Sequence, residues 1–298
     1  MTSKKKLILV YLQLYMSVKI VECPRDAMQG FHHAIPTHLK IEYINSLLKV
    51  GFDTLDCGSF VSPKALPVLA DTEDVLKGLN SLNSDTKLLA ILANLRGAEN
   101  ASQFDIIHYW GYPFSISEQF QLRNTNQNIK QSYSILSEIK KLADDSEKEI
   151  VAYLSMGFGN PYNEKWSIEI ALEWCKRIAD IGINIISLSD TIGLAKPADI
   201  EKLFKVCKKE LPNIEFGAHL HTREDNYLEN ISTAYEAGCR RFDSAINGLG
   251  GCPFATDKLT GNLPTEKLLK FLEFFNIENS IDKIQFKHAM KLAQKIFI

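Results

Sequence analysis

The sequence predicts an α/β protein in which eight parallel strands close into a barrel surrounded by helices. Short segments rich in β-branched and aromatic residues alternate with amphipathic helical segments along the chain. Eight such strand segments occur, and no linker or low-complexity tract divides them. Repeated strand–helix–strand units favour parallel pairing with helical crossovers. Eight units favour a (β/α)8 TIM barrel, with an open doubly wound sheet as the alternative.

Eight strands are predicted, one for each strand–helix unit. In chain order they occupy residues 18–23, 52–57, 87–92, 104–110, 149–156, 183–189, 215–221 and 240–245. Their interior positions are apolar, and their C-terminal ends become polar or charged.

The segments between the strands have apolar residues at helical spacing, which predicts one buried face on each helix. These helices cover residues 38–50, 117–143, 165–181, 198–210 and 225–237. Gly51, Gly182 and Gly238 follow three of them, where glycine supplies the left-handed conformation of a helix C-terminus. Residues 263–298 predict short additional C-terminal helices that cap or flank the barrel.

The composition excludes several classes of function. The chain has 298 residues, of which 45% are hydrophobic, and 34 Lys and Arg residues stand against 36 Asp and Glu. Without a basic surplus, general binding to nucleic acid is not expected. The longest apolar run is too short to cross a bilayer, so no membrane partner is expected. Six cysteines without Cys-x-x-Cys spacing predict a reducing, cytoplasmic location.

The first 16 residues need a separate interpretation. Three lysines, Lys4 to Lys6, precede an apolar run of about ten residues, which is a pattern typical of signal peptides. No small-residue cleavage site follows, and Met16 offers a second start. We expect residues 1–16 to be a leader or the product of a misassigned start codon. Residues 17–298 are expected to form a single catalytic domain.

Polar side chains gather at the C-terminal ends of the predicted strands. That end of a TIM barrel carries the catalytic site. So many polar residues at equivalent positions favour a site over simple solvation of loops. The residues concerned are Arg25, Asp26, Asp56, Ser59, Ser187, Asp190, His219, His221 and Asn247.

His219 and His221 lie two residues apart on one predicted strand, so their side chains point to the same side. A single histidine is more often a satisfied core residue, but two on one face favour a metal pair. Asp26 is the natural third ligand, from another strand end. Imidazole, carboxylate and water ligands suit Mg²⁺ or Mn²⁺, although the ligand types alone also allow zinc.

A glycine-rich loop, Gly248-Leu-Gly-Gly-Cys-Pro-Phe-Ala255, leaves the eighth strand. It lacks the spacing of a phosphate-binding loop. A cysteine is ordinarily a small buried hydrophobe. Cys252, on a glycine-rich loop at the catalytic face, is better interpreted as a nucleophile or a general acid.

These motifs together resemble the hydroxymethylglutaryl-CoA lyases. The resemblance runs in order from about residue 17 to 275, and the Gly-Gly-Cys-Pro loop is its most specific part. Isopropylmalate and homocitrate synthases share the Arg-Asp and His-x-His elements but lack that loop. The matching segments are 18–29 (VKIVECPRDAMQ), 59–64 (SFVSPK), 117–124, 187–193 (SLSDTIG), 219–221 (HLH), 248–255 and 261–262 (GN).

The resemblance implies divalent-metal-dependent cleavage of 3-hydroxy-3-methylglutaryl-CoA to acetoacetate and acetyl-CoA, a step of leucine degradation. It implies an acyl-CoA substrate, Mg²⁺ or Mn²⁺ as cofactor, and a homodimer. It places Arg25 at the thioester carbonyl, makes Cys252 the proton donor, and leaves Asp26 or His219 as the proton acceptor. The implied metal ligands are Asp26, His219, His221 and Asn262, and the implied substrate-binding residues are Arg25, Gln29, Asp56, Ser117, Ser187 and Asp190.

The chain departs from the usual motif in places that affect substrate fine-tuning. Cys23 stands where the family usually has glycine, and Asp56 stands where it commonly has glutamate. Thr222 and Arg223 replace an Asp-Thr pair. Two other functions remain open: an acyl-CoA-dependent condensing synthase, and a catalytically silent metal-binding barrel. Cys252 discriminates against the synthase, which does not need it.

Overall fold

Eight parallel strands form a closed barrel in strand order β1 to β8. The computed structural model describes residues 17–31, 33–251 and 260–297. The barrel closes because β8 pairs in parallel with β1, with Val21 opposite Asp243. This closure confirms the predicted barrel and excludes the open sheet. The strands are β1 (Lys19–Glu22), β2 (Thr54–Ser59), β3 (Lys87–Ile91), β4 (Ile107–Ser115), β5 (Glu149–Ser155), β6 (Ile185–Asp190), β7 (Glu215–Leu220) and β8 (Arg241–Ser244).

Helices surround the barrel and connect its strands. None of those in the described part of the chain combines the length and apolar character needed to cross a membrane. They are α1 (Pro24–Gln29), α2 (Thr37–Leu47), α3 (Thr72–Lys77), α4 (Leu95–Ala101), α5 (Glu118–Thr125), α6 (Ile129–Asp145), α7 (Ile168–Asp180), α8 (Pro197–Glu210), α9 (Tyr227–Glu236), α10 (Thr265–Phe274) and α11 (Lys283–Phe297).

The predicted additional C-terminal helices are α10 and α11. The second of them flanks the barrel by packing against α2, since the rings of Phe297 and Tyr43 lie 5.7 Å apart. Phe286 of α11 also meets Phe52, with ring centroids 6.3 Å apart in an edge-to-face arrangement. Such aromatic contacts bury large apolar areas, so α11 belongs to the core of the fold.

Strand β4 differs from the sequence prediction. The prediction placed it at 104–110, but the structure has it at Ile107–Ser115. Gly111 and Pro113 would ordinarily weaken a strand. They are accommodated here because β3 pairs with β4 only as far as Gly111, so Pro113 lies beyond that pairing, while β5 pairs with β4 along its last seven residues. Tertiary pairing therefore overrides the local signal of these two residues.

The single helix predicted over 117–143 is two helices, α5 and α6. Asn126 adopts a left-handed conformation with a φ of 57° and ends α5. Asn128 then begins α6 by accepting a hydrogen bond from the backbone of Gln131, whose side chain bonds back to Asn128. This reciprocal capping starts a new helix. The six residues 123–128 (RNTNQN) are all polar, so the apolar pattern stops at the break, although the sequence prediction placed one helix across it.

Glu22 connects β1 to the chain that follows β8. Its carboxylate accepts hydrogen bonds from the backbone N–H of Ile246 at 2.8 Å and from the hydroxyl of Thr265 at 2.5 Å. The Thr265 hydroxyl also lies 2.9 Å from Oγ of Ser244. Burial raises the pKa of Glu22 to about 8, against the opposing effect of these two hydrogen bonds. Glu22 therefore holds both ends of the segment that contains the glycine-rich loop.

Glu22 should make the stability of the protein depend on pH. Its pKa is raised on folding, so its contribution is complete below its ordinary pKa of 4.5 and is lost as the pH rises toward about 8. The free energy of unfolding should fall by about 1 kcal/mol per pH unit in that interval. Glu22→Gln should remove this slope, because the amide stays neutral and can donate to Oγ of Thr265.

Urea denaturation between about pH 5 and pH 9 measures the difference in slope between the two proteins. The matched control is Glu42→Gln, at an exposed position of α2. Equal slopes for wild type and Glu22→Gln would show that Glu22 keeps its charge on folding.

Candidate active site

The first part of the site is built by α1, which starts directly after β1. Pro24 occupies the first helical turn, where its missing N–H costs no hydrogen bond. This short helix brings Arg25 and Asp26 to the C-terminal mouth of the barrel, and both side chains are buried.

Arg25 is held by three polar neighbours. Its Nε donates to both carboxylate oxygens of Asp56, at 2.9 and 3.2 Å, and a second guanidinium nitrogen also contacts that carboxylate. The remaining nitrogen donates to Asp26 at 2.9 Å and to Gln29 at 2.7 Å. Burial opposes the charge of Arg25, yet Asp56 and Asp26 keep its pKa above its usual range. Burial raises the pKa of Asp56 to about 6 against the opposing effect of Arg25.

The two predicted histidines lie at the end of β7, with ring centroids 5.2 Å apart. Nδ1 of His219 lies 3.1 Å from a carboxylate oxygen of Asp243, on the neighbouring strand β8. Such a carboxylate fixes the tautomer and orientation of the ring. Tyr153 also packs edge-to-face on His219 at 5.5 Å. Burial alone would lower the pKa of His219, but Asp243 raises it above its ordinary value.

Asp26, His219 and His221 form a cluster that could hold a metal ion. One ligand atom from each lies within 4.8 Å of the others. Nδ2 of Asn262 donates to Asp26 at 2.6 Å and to the carbonyl of Leu249 at 2.8 Å, which places its amide beside the cluster. The four residues predicted as metal ligands are thus brought together from β7, α1 and the chain before α10.

The protonation states of Asp26 and His221 fit a divalent cation. Burial alone would raise the pKa of Asp26, but Arg25 and the two histidines lower it to about 2. Burial lowers the pKa of His221 to about 4, and the neighbouring His219 adds to that effect. Nδ1 of His221 is buried and has no hydrogen-bond partner among the residues that the structure describes. An ionised carboxylate and a neutral imidazole are the forms that bind metal.

A pocket opens above this cluster and contains several of the predicted residues. Arg25, Asp26, Gln29, His219 and His221 line it together with apolar residues of the strand ends and loops. These apolar or weakly polar residues include Val61, Leu66, Ile91, Pro113, Phe120 and Tyr153. A concave, mainly apolar pocket with a few convergent polar groups is typical of small-molecule sites.

Three residues predicted to bind substrate have other surroundings in the structure. Oγ of Ser117 accepts a hydrogen bond from the backbone of Phe120 and starts α5. The Asp190 carboxylate accepts backbone hydrogen bonds from Leu194 and Ala195, at 2.9 and 2.8 Å. Ser187 is buried within β6, and its hydroxyl has no partner among the described residues. None of Ser117, Ser187 and Asp190 lines the pocket as the structure describes it, and their role in binding stays a prediction.

Cys252 lies outside the described residues, as do residues 253–259. Shortly before this segment in the chain, Gly250 has a φ of 100° and lies close to the backbone of Asp26. A Cβ at Gly250 would come within 2.7 Å of the Asp26 carbonyl oxygen, so only glycine fits there. The glycine-rich loop therefore starts in direct contact with the metal-ligand cluster.

Four residues of the site were not predicted from the sequence: Asp243, Tyr153, Ser189 and Thr191. The last three line the pocket, and Asp243 orients His219. Asp243 carried a usable signal, because a carboxylate in the middle of a predicted barrel strand is expected to have a buried partner. Ser189 and Thr191 follow the same strand-end rule that identified Asp190.

Comparison with known proteins agrees with this geometry. The HMGL-like family profile matches residues 17–294. The chain belongs to the HMGL-like family. A hydroxymethylglutaryl-CoA lyase of Bacillus subtilis is 34% identical over 272 residues, which are 91% of this chain and 90% of that protein. The human cytoplasmic 3-hydroxy-3-methylglutaryl-CoA lyase is 33% identical over 89% of this chain and 71% of its own length.

Solved structures of this family have the same fold. The HMG-CoA lyase of Acinetobacter baumannii, solved with coenzyme A and 3-methylmalate, superposes with a TM-score of 0.88 at 30% identity. The match covers 95% of this chain and 92% of that one. The HMG-CoA lyase of Bacillus subtilis also reaches a TM-score of 0.88, at 32% identity.

Proposed function

We propose that this protein cleaves 3-hydroxy-3-methylglutaryl-CoA into acetoacetate and acetyl-CoA. The observation that carries the proposal is the cluster of Asp26, His219 and His221 at the barrel mouth, directly beside the buried guanidinium of Arg25. Cleavage of this tertiary alcohol requires removal of the hydroxyl proton, stabilisation of the enolate that leaves, and protonation of its carbon. The chain supplies a residue for each requirement.

Asp26, His219, His221 and Asn262 would hold the divalent cation, for which we propose Mg²⁺ or Mn²⁺. Carboxylate, imidazole and amide oxygen donors suit either ion. A cation in this position supplies Lewis acidity toward the oxygen atoms of the substrate.

Arg25 would hold the thioester oxygen as negative charge develops on it during bond cleavage. Asp56 fixes the guanidinium through two nitrogens, so Arg25 does not need to reorganise during the reaction. A preorganised donor of this kind contributes about 3 kcal/mol to stabilisation of the transition state. Asp56 is therefore a positioning residue that acts through Arg25.

Asp26 and His219 are the two proton acceptors proposed from the sequence. Both carboxylate oxygens of Asp26 already accept hydrogen bonds, one from Arg25 and one from Asn262. His219 can accept a proton only while its Nε2 is not bound to the cation, because Nδ1 faces Asp243, and Asp243 then stabilises the imidazolium that forms. Cys252 would then deliver a proton to the enolate carbon.

The condensing-synthase alternative predicts a different substrate requirement. The purified protein should convert 3-hydroxy-3-methylglutaryl-CoA in the presence of Mg²⁺ or Mn²⁺, without any added 2-oxo acid. A synthase would instead consume acetyl-CoA together with a 2-oxo acid and release coenzyme A. A silent metal-binding barrel would convert neither mixture. The homodimer and the cytoplasmic location stay predictions of the sequence.

Arg25→Met should lower kcat by about 10²–10³-fold, because it removes a preorganised donor for the developing charge. The variant should also lose stability, since it leaves the buried Asp56 carboxylate without its partner. Kinetics should therefore be measured well below the melting transition. The double variant Arg25→Met with Asp56→Asn is the matched control, because it also removes the unpaired buried charge of the Asp56 carboxylate. If that double variant recovers stability and also turns over normally, Arg25 has only a structural role.

A further inference from the structure

Cys23 belongs to a second cluster of side chains that could hold a metal ion, and this cluster shares His219 with the one at the barrel mouth. Its sulfur, a ring nitrogen of His219 and a carboxylate oxygen of Asp243 lie within 4.8 Å of one another. Cys23 is fully buried, immediately after β1, and among the described residues its thiol makes only a long contact of 3.8 Å, with the Val21 carbonyl. Neither the proposed reaction nor the metal ligands predicted from the sequence use this residue.

A second observation points to a cation in this cluster. One carboxylate oxygen of Asp243 accepts from His219, but the other, Oδ1, is buried without a partner in the described part of the chain. The buried guanidinium of Arg241 supplies positive charge nearby, but no described residue donates a hydrogen bond to this oxygen. An unpartnered carboxylate oxygen at only 2% residue exposure is costly. A cation between Cys23, His219 and Asp243 would satisfy this oxygen.

The donor set differs in kind from that of the cluster at the barrel mouth. Sulfur, imidazole nitrogen and carboxylate oxygen together favour a borderline or soft ion such as Zn²⁺ or Cd²⁺. Tetrahedral zinc holds such atoms about 3.5 Å apart, so the three side chains need only a small contraction. The His219 side chain keeps 13% exposure to the pocket, which gives an ion a route inward.

We propose that Cys23, His219 and Asp243 form a second cation site, specific for thiophilic divalent ions, that competes with the site at the barrel mouth. The competition follows from the tautomers of His219. A neutral imidazole has one nitrogen with a lone pair and one that carries hydrogen. Nδ1 faces Asp243, so an ion bound to Nδ1 leaves the hydrogen on Nε2 and prevents Nε2 from binding the other ion.

We call the site formed by Cys23, His219 and Asp243 the inner site. When an ion binds there, every proton is accounted for. The Cys23 thiol releases one proton to solvent as the metal–sulfur bond forms. The ring of His219 keeps a single proton, which changes from Nδ1 to Nε2. The inner ion therefore acts as an inhibitor by selecting the wrong tautomer of a shared ligand.

Titration with Cd²⁺ tests the proposal, with ultraviolet absorption from thiolate-to-cadmium charge transfer as the readout. Wild-type protein should show this band, and prior saturation with Mn²⁺ should raise the Cd²⁺ concentration needed. Cys23→Ser should lose the band and bind Cd²⁺ at least about 10-fold more weakly, since even outer partners of a metal site contribute that much. His221→Ala should keep the band, because it spares all three inner ligands. Circular dichroism confirms that each variant is folded.

Cys252→Ser is the matched control, because it removes the cysteine of the glycine-rich loop, which the sequence also places at this end of the barrel. It should keep the band. A band that survives in Cys23→Ser, that disappears in Cys252→Ser, or that is missing from wild type would overturn the proposal. If Cys23→Ser does not fold, Cys23→Ala takes its place with the same expectation. These readouts do not involve acetoacetate, so they are independent of the proposed lyase activity.

Discussion

Replacing His221 with alanine should lower turnover by at least about 1,000-fold at physiological concentrations of Mg²⁺ or Mn²⁺, because Lewis acidity contributes several kcal/mol to such reactions. His221 is buried beside Asp26 and His219, and burial keeps its imidazole neutral by lowering its pKa to about 4. A neutral imidazole is ready to bind metal without first losing a proton. Its removal should weaken Mn²⁺ affinity, measured by calorimetry, in parallel with the loss of turnover.

His288→Ala is the matched control for this experiment. His288 lies at an exposed position of α11, on the flank of the barrel and away from the pocket. Its replacement should leave both Mn²⁺ affinity and turnover unchanged. If His221→Ala keeps wild-type Mn²⁺ affinity and activity, the cluster at the barrel mouth is not the metal site.

Cys252→Ser should lower the cleavage rate by about 10²–10⁴-fold while leaving metal and acyl-CoA binding nearly unchanged. Neither ligand needs the sulfur, but a serine hydroxyl is a far weaker acid than a thiol and is a poor proton donor to carbon. Single-turnover kinetics at saturating substrate measure the chemical step separately from binding. A near wild-type rate would mean that the proton comes from another group.

Alkylation gives an independent test of Cys252. The other five cysteines, Cys23, Cys57, Cys175, Cys207 and Cys239, are all buried. A thiol-directed reagent should therefore modify the folded protein chiefly at Cys252 and inactivate it, and a bound substrate analogue should slow that inactivation. Cys252→Ser should resist modification. Rapid inactivation of Cys252→Ser by the same reagent would point to a different cysteine.

The barrel was predictable because its strands are buried on both faces and its helices on one. These two burial patterns give strands and helices different periods of apolar residues in the sequence. Eight strand–helix repeats then leave few alternative folds. The end of β4 and the break between α5 and α6 were not predictable in this way. Pairing with β5 sustains β4 through Pro113, and Asn126 and Asn128 end one helix and begin the next within the polar run 123–128.

The metal-ligand cluster was predictable for a related reason. Residues at the C-terminal ends of parallel strands meet at one mouth of the barrel, so Asp26 and His221 could be placed together without a structure. The contacts of Asp243 and Cys23 with His219 depend on the register between β7, β8 and β1, which only closure of the barrel sets. Ser117 shows the converse, since a hydroxyl at a strand end can be used entirely by a helix N-terminus.

The most direct test of the proposed function is product analysis with purified protein, 3-hydroxy-3-methylglutaryl-CoA and Mg²⁺ or Mn²⁺. The geometry of Arg25, Asp26 and His219 predicts equal amounts of acetoacetate and acetyl-CoA, with formation of both abolished by a chelator and restored by added cation. Folded protein that leaves the substrate intact with both cations present would contradict the proposed function.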